Sequence, residues 1–168
     1  MKMTSAQAAK LLRQLNDEHD DLRIREDNAR SFLAALGEDV ESARPEYDYA
    51  DTQAKLAELE AKIRKVKHKL NVFNTTTVIP EFGITVDEML VYLPQLSSRV
   101  TKLSRMKNAM PKTREGSPLR GSSVIDYRYA NYDIKQTEAD YQLASDELAR
   151  AQTALDVVNN TIEFEIEL

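Results

Sequence analysis

One unit of sequence occurs twice in this chain, and the duplication constrains its fold more than any other feature. Thr4, Gln7, Leu12, Gln14, Leu15 and Leu22 recur 81 positions later as Thr85, Glu88, Leu93, Gln95, Leu96 and Leu103. Glu46-Tyr47-Asp48-Tyr49-Ala50 returns as Asp126-Tyr127-Arg128-Tyr129-Ala130. Leu70-x-Val72-Phe73-Asn74-x-Thr76 returns as Leu155-x-Val157-Val158-Asn159-x-Thr161, and the blocks keep their order. Matching leucines alone would be weak, because any two amphipathic helices can be slid into register. The tyrosine pair and the Asn-Thr tail are not heptad positions, so they carry the argument. The expectation is a mainly α fold of two tandem helical hairpins. Each is a helix, connector, helix, short strand unit, with repeat 1 at about 4–79 and repeat 2 at about 85–168 of a single 1–168 domain.

Helical periodicity fills in the unit. Thr4 with Gln7 reads as a capping box, and Ala8, Leu12, Leu15, Leu22, Ala29, Leu33 and Leu36 follow a 3-4 spacing that stops at Gly37. A first helix over 4–36 is therefore expected, with a polar break where His19 and Glu26 fall on seam positions. That break either leaves the core or meets a polar partner. Beyond Pro45, Thr52, Leu56, Leu59, Ile63, Val66, Leu70 and Phe73 keep the alternation without an error, as in coiled-coil packing. Asn74, like Asn159 in the last helix, is suited to terminate its helix, and TTTVI, β-branched and closed by Pro80 and Gly83, reads as a short strand.

Thr85 and Glu88 repeat the capping box ahead of a third-helix seam of Val86, Met89, Leu93, Leu96, Val100, Leu103 and Met110. Pro94 interrupts that seam, removes the bond to the Leu90 carbonyl, and is expected to bend or divide the helix. Residues 107–123 hold two Pro, two Gly and four basic residues and read as a mobile basic loop. Val124 to Asn131 reads as a strand, and a last helix starts near Asp133 with Gln136 completing a capping box. The closing TIEFEIEL alternates Ile162, Phe164, Ile166 and Leu168 with glutamates, a strand with one wet acidic face. The strands, or the two tyrosine segments, are expected to meet near a pseudo-twofold. Lone strand pairs and narrow helical stripes are marginal in water, which favours burial against further copies in a closed homo-oligomer.

The LLRQL at 11–15, the helix start Gly83-Ile84-Thr85-Val86-Asp87-Glu88 and the NNTIEFEIEL tail resemble the septicolysin-like family of small bacterial proteins. The resemblance implies paired hairpins over nearly the whole chain and, through the family's name, a membrane-active cytolysin as one activity. The chain has no Cys, which excludes thiol-activated lysis along with disulfides and thiolate metal sites.

No motif constrains catalytic geometry: there is no phosphate-binding glycine loop, nucleophile elbow or placed carboxylate pair. His19 lies among Asp17, Glu18, Asp20 and Asp21, but neither Asn16-x-x-His19 nor Lys65-x-x-His68 supplies a bundle metal motif, so no metal and no cofactor are expected. Lys62, Arg64, Lys65, Lys67 and Lys69 form a basic run that could meet phosphate. The net charge of −5 and the plentiful acidic helices favour a solvated flank over nucleic acid. Tyr47, Tyr49, Tyr127 and Tyr129, with Phe164 and Ile166, are the candidate interface residues. Lys10 and Arg13 interrupt the N-terminal apolar run, and no stretch approaches a membrane span, so a cytoplasmic protein is the default. The expected function is a non-enzymatic structural or interaction module that self-assembles. The alternative is a membrane-active toxin, with nucleic-acid binding behind both.

Overall fold

A computed structural model describes residues 1–115 and 125–168. In chain order the described elements are β1 (Lys2–Thr4), α1 (Ser5–Ala29), α2 (Val40–Ala43), α3 (Tyr49–Thr76), β2 (Val78–Ile79), β3 (Ile84–Thr85), α4 (Val86–Lys107), β4 (Lys112–Arg114), β5 (Tyr127–Tyr129), α5 (Ile134–Thr161) and β6 (Glu163–Glu165). With 67% of residues helical and every strand short, the chain is mainly α, the class its periodicity predicts. Its contacts divide it into two compact units, Met1–Thr77 with Val157–Leu168, and Val78–Asp156.

In the first unit α1 and α3 run antiparallel, since His19 faces Glu60 and Glu26 faces Gln53. The core gathers Met3, Ala8, Leu15, Val66 and Ile166, with Leu11, Leu12, Leu59, Ile63, Leu70 and Phe164 packed around it. Ala8, Leu12, Leu15, Leu59, Ile63, Val66 and Leu70 are seam positions of the two helices, so the 3-4 spacing is the direct cause of the pairing. β1 and β6 close the unit as an antiparallel ribbon, Met3 opposite Phe164, and the Phe164 ring stacks on Phe73 at 4.9 Å between centroids.

In the second unit β2 and β3 form a small hairpin, Ile79 opposite Ile84. Its turn is closed by the Phe82 and Gly83 amides donating to the Ile79 carbonyl. Gly83 has φ +67°, a left-handed conformation that a Cβ would strain. α4 and α5 are also antiparallel neighbours: Tyr92 reaches Glu147, and the Lys107 ammonium lies 3.8 Å from the Tyr141 ring centroid.

Local bonds recur at the offsets of the sequence blocks. Both capping boxes form: Thr4 exchanges bonds with Gln7, and Thr85 with Glu88. The amide donation in the second box holds the Glu88 carboxyl below its usual pKa. At 85 positions apart, the Thr52 hydroxyl donates to the Asp48 carbonyl and that of Thr137 to Asp133. Likewise Thr76 donates to Val72 and Thr161 to Val157, both at 2.7 Å.

Several expectations are corrected. α1 stops at Ala29, not Leu36, because α3 begins at Tyr49 and a longer α1 would carry its leucines past the end of the partner helix; a short extension with nothing to pack on does not hold. Asn74 and Asn159 do not terminate helices, since α3 and α5 continue through Thr76 and Thr161 and back-bonded threonines lie in their last turns. The Asn159 Oδ1 is buried without a hydrogen-bond partner among the described residues. Pro94 does not divide α4. TTTVI and the acidic tail do not pair with each other: β2 joins β3 and β6 joins β1, a strand the alternation did not reveal because it is only three residues long. The segment around Tyr47 is not a strand, whereas that of Tyr127 is β5, paired with β4 from within the expected basic loop. The rest of that loop, 116–123, and Val124 of the expected strand lie outside the described residues.

Candidate functional site

The polar break in α1 meets polar partners. His19 Nε2 lies 3.5 Å from Glu60 Oε1, and Glu26 Oε1 accepts from the Tyr47 hydroxyl at 2.8 Å and from Gln53 Nε2 at 2.7 Å. Tyr47 is thereby half-buried and its phenol held above its ordinary pKa, first by the bond to Glu26. These contacts explain how two polar residues sit on a helix seam. Beside them runs a groove of 330 Å³ lined by Glu18, Asp21 and Glu58 against Arg25, Lys55 and Lys62, three charges of each sign. A groove so balanced neutralises itself.

The candidate interface residues are dispersed. Tyr49, Tyr127 and Tyr129 are exposed, and the Lys112 ammonium sits over the Tyr127 ring at 4.0 Å. Phe164 is stacked on Phe73, and Ile166 is wholly buried in the core of its own unit. In the basic run Lys62 pairs with Glu58 at 2.6 Å and Arg64 lies 3.9 Å from Glu60. Lys65, Lys67 and Lys69 are exposed and make no ion pair among the described residues. Helical spacing puts Lys62, Lys65 and Lys69 on one flank of α3 and Arg64 and Lys67 on the other, so the run is two flanks and not one patch.

Two features were missed by sequence reasoning. One is the connector after α1, where Leu33 and Leu36 are fully exposed and Val40 half exposed. It is nonetheless ordered, with the Ala35 amide donating to Glu38 Oε2 at 2.8 Å and the Arg44 guanidinium 5.3 Å from the Phe32 centroid. The other is a cleft of 590 Å³ at the start of α4, with Phe82, Ile84, Val91 and Tyr92 as its apolar wall and Asp87, Glu88, Gln95 and Glu147 as its polar one. Phe82 meets Tyr92 edge to face at 6.5 Å. Arg150 is drawn onto Phe82 at 5.8 Å and pairs with Glu81 at 2.8 Å. No motif announces the cleft, because a hairpin turn, one helix face and a residue 55 positions further on supply its parts.

The Tyr92 hydroxyl donates to Glu147 Oε1, and that bond, with desolvation and the carboxylate's charge, raises the phenol above its ordinary value of 10.0, against a smaller opposing pull from Arg99. The folded chain thus holds this proton more tightly than the unfolded chain. The stability it adds is complete below pH 10 and disappears as pH rises through the raised value. The unfolding midpoint of the wild type is expected to fall more steeply from about pH 9 to about pH 11 than that of Tyr92→Phe, read by urea titration; equal slopes would contradict the assignment.

No helix among the described residues is long and apolar enough to cross a membrane. No protein-family model matches the chain, and no curated protein matches it. In the solved structures it is similar to a crystal structure of a functionally unknown conserved protein from Corynebacterium diphtheriae, with a TM-score of 0.61 and 18% identity over 98% of this chain and 100% of that one. At that identity the likeness shows the fold alone: this mainly helical arrangement is shared with a protein of another sequence.

Proposed function

We propose that the chain is a non-enzymatic structural or interaction module, a duplicated helical hairpin with coiled-coil-like packing, that self-assembles as a homo-oligomer in the cytoplasm. The observation that carries this reading is the connector between α1 and α3, which holds Leu33 and Leu36 in water within an ordered loop. Burying a leucine is worth about 1.5–3 kcal/mol, so two on each copy give a strong drive to cover them. A second copy of the chain is the occupant, because a closed symmetric assembly covers the same patch on every subunit. The exposed Tyr49, Tyr127 and Tyr129 are the residue type that such contacts favour.

Sedimentation velocity tests the reading. The wild type is expected to run as one discrete oligomer and the double variant Leu33→Ser, Leu36→Ser as a monomer with unchanged helical circular dichroism. A monomeric wild type would overturn it. The membrane-active alternative draws on the septicolysin-like resemblance, and Glu38, Asp39 and Glu41 beside the leucines oppose it by placing negative charge where an anionic bilayer would be met. Dye release from liposomes by the wild type, lost in the same double variant, would replace the scaffold reading with that one.

A further inference from the structure

At the α4 cleft the two halves of the chain differ in kind. At the 81-residue offset of the capping boxes, Phe82, Asp87, Glu88, Val91 and Tyr92 take the places of Met1, Ala6, Gln7, Lys10 and Leu11. At the 85-residue offset of the second helices, Glu147 takes the place of Lys62. Positions that build the hairpin keep their character, as with the buried Leu15 and Leu96 or Phe73 and Val158. The cleft positions instead gain two aromatic rings, lose two lysines and acquire three carboxylates.

We infer that this cleft is a binding site for a small organic cation, an ammonium, amidinium or guanidinium group carried on an apolar body. Charge complementarity makes the case. Among the described residues Asp87, Glu88 and Glu147 line the cleft and no Lys or Arg does, unlike the self-neutralised groove beside α1 and α3. Glu88 is turned back onto Thr85 and remains ionised, and Glu147 uses Oε1 for Tyr92. Asp87, the Oε1 of Glu88 and the second oxygen of Glu147 are the carboxylate groups left to meet a cation. Phe82, Val91 and Tyr92 supply the surface for its body, and aromatic faces attract cations by their quadrupole. Phe82 already does so with Arg150, which Glu81 holds outside the cleft lining. A volume of 590 Å³ lies within the range of small-molecule sites, about 300–1,000 Å³. The site lies apart from the connector leucines in sequence and does not rest on self-assembly.

The test uses benzamidine as the cation and benzoate, its anionic counterpart of similar shape, as the control, with the Val91 methyl resonances of the full chain as reporter. Benzamidine is expected to give a saturable shift with a Kd of about 1 mM or tighter, and benzoate none. Glu147→Gln is expected to weaken binding about tenfold, from loss of one charge contact. Val91→Lys, at an exposed position and restoring the residue type of the first half, is expected to abolish benzamidine-dependent shifts of the Tyr92 ring while leaving the fold intact. No saturable shift with benzamidine, an equal shift with benzoate, or binding that survives Val91→Lys unchanged would each overturn the inference.

Discussion

Replacing Ile166 by alanine is expected to lower the stability of the first unit by about 3 kcal/mol, within the usual range for truncating a buried isoleucine. The side chain is fully buried with Met3, Ala8, Leu15 and Val66. Its backbone is held from both sides, the Met1 amino group donating to its carbonyl at 2.7 Å and its own amide donating to the Met1 carbonyl at 3.0 Å. The ribbon of β1 and β6 pairs only three residues on each strand, and two strands alone are marginal in water. Its order therefore depends on the anchoring side chain. Urea unfolding followed by circular dichroism measures the effect, with Leu168→Ala, at a partly exposed site, as the control expected to change little. A loss for Ile166→Ala no larger than for Leu168→Ala would show that the tail is not anchored as described.

Pro94→Ala is expected to act in the opposite direction and stabilise the chain by about 2 kcal/mol. Proline inside a helix costs about 3 kcal/mol because it lacks an amide donor and crowds the preceding turn, while its restriction of the unfolded chain returns up to about 1 kcal/mol. α4 runs unbroken through Pro94, whose side chain is exposed, so the exchange leaves no cavity. The first half carries Arg13 at the matching place in an uninterrupted α1. The thermal midpoint should rise by several degrees; a fall would mean that a bend imposed by the proline is used in packing α4 against its neighbours.

The seam of α3 was readable residue by residue, since Leu56, Val66 and Phe73 are all buried. So were both capping boxes, because a cap is decided within four residues of chain. Gln136 shows the limit of such reading. Its amide is capped by Asp133, but its side chain turns forward to Asp140 instead of back, so that box is only half formed. The end of α1 was not readable, because Leu33 and Leu36 satisfy helical spacing and only the position of Tyr49 decides that no partner helix reaches them. The candidate site residues fared in the same way. Tyr47 was read as an interface residue, and nothing local indicated that its hydroxyl would donate to Glu26 or that Glu26 would also take Gln53.

By itself the sequence determined the helical class, the recurrence of a capped helix followed by a second helix, and the faces those helices bury, since each follows from contacts three to four residues apart. The tertiary structure decided which strands pair, where the leucines of the first connector are left exposed, and that Phe82, Tyr92 and Glu147 share one cleft. The physical reason is separation along the chain. Met1 and Ile166 bond across 165 residues, and Tyr92 and Glu147 across 55. Such meetings depend on how whole hairpins close, a quantity that local periodicity does not encode.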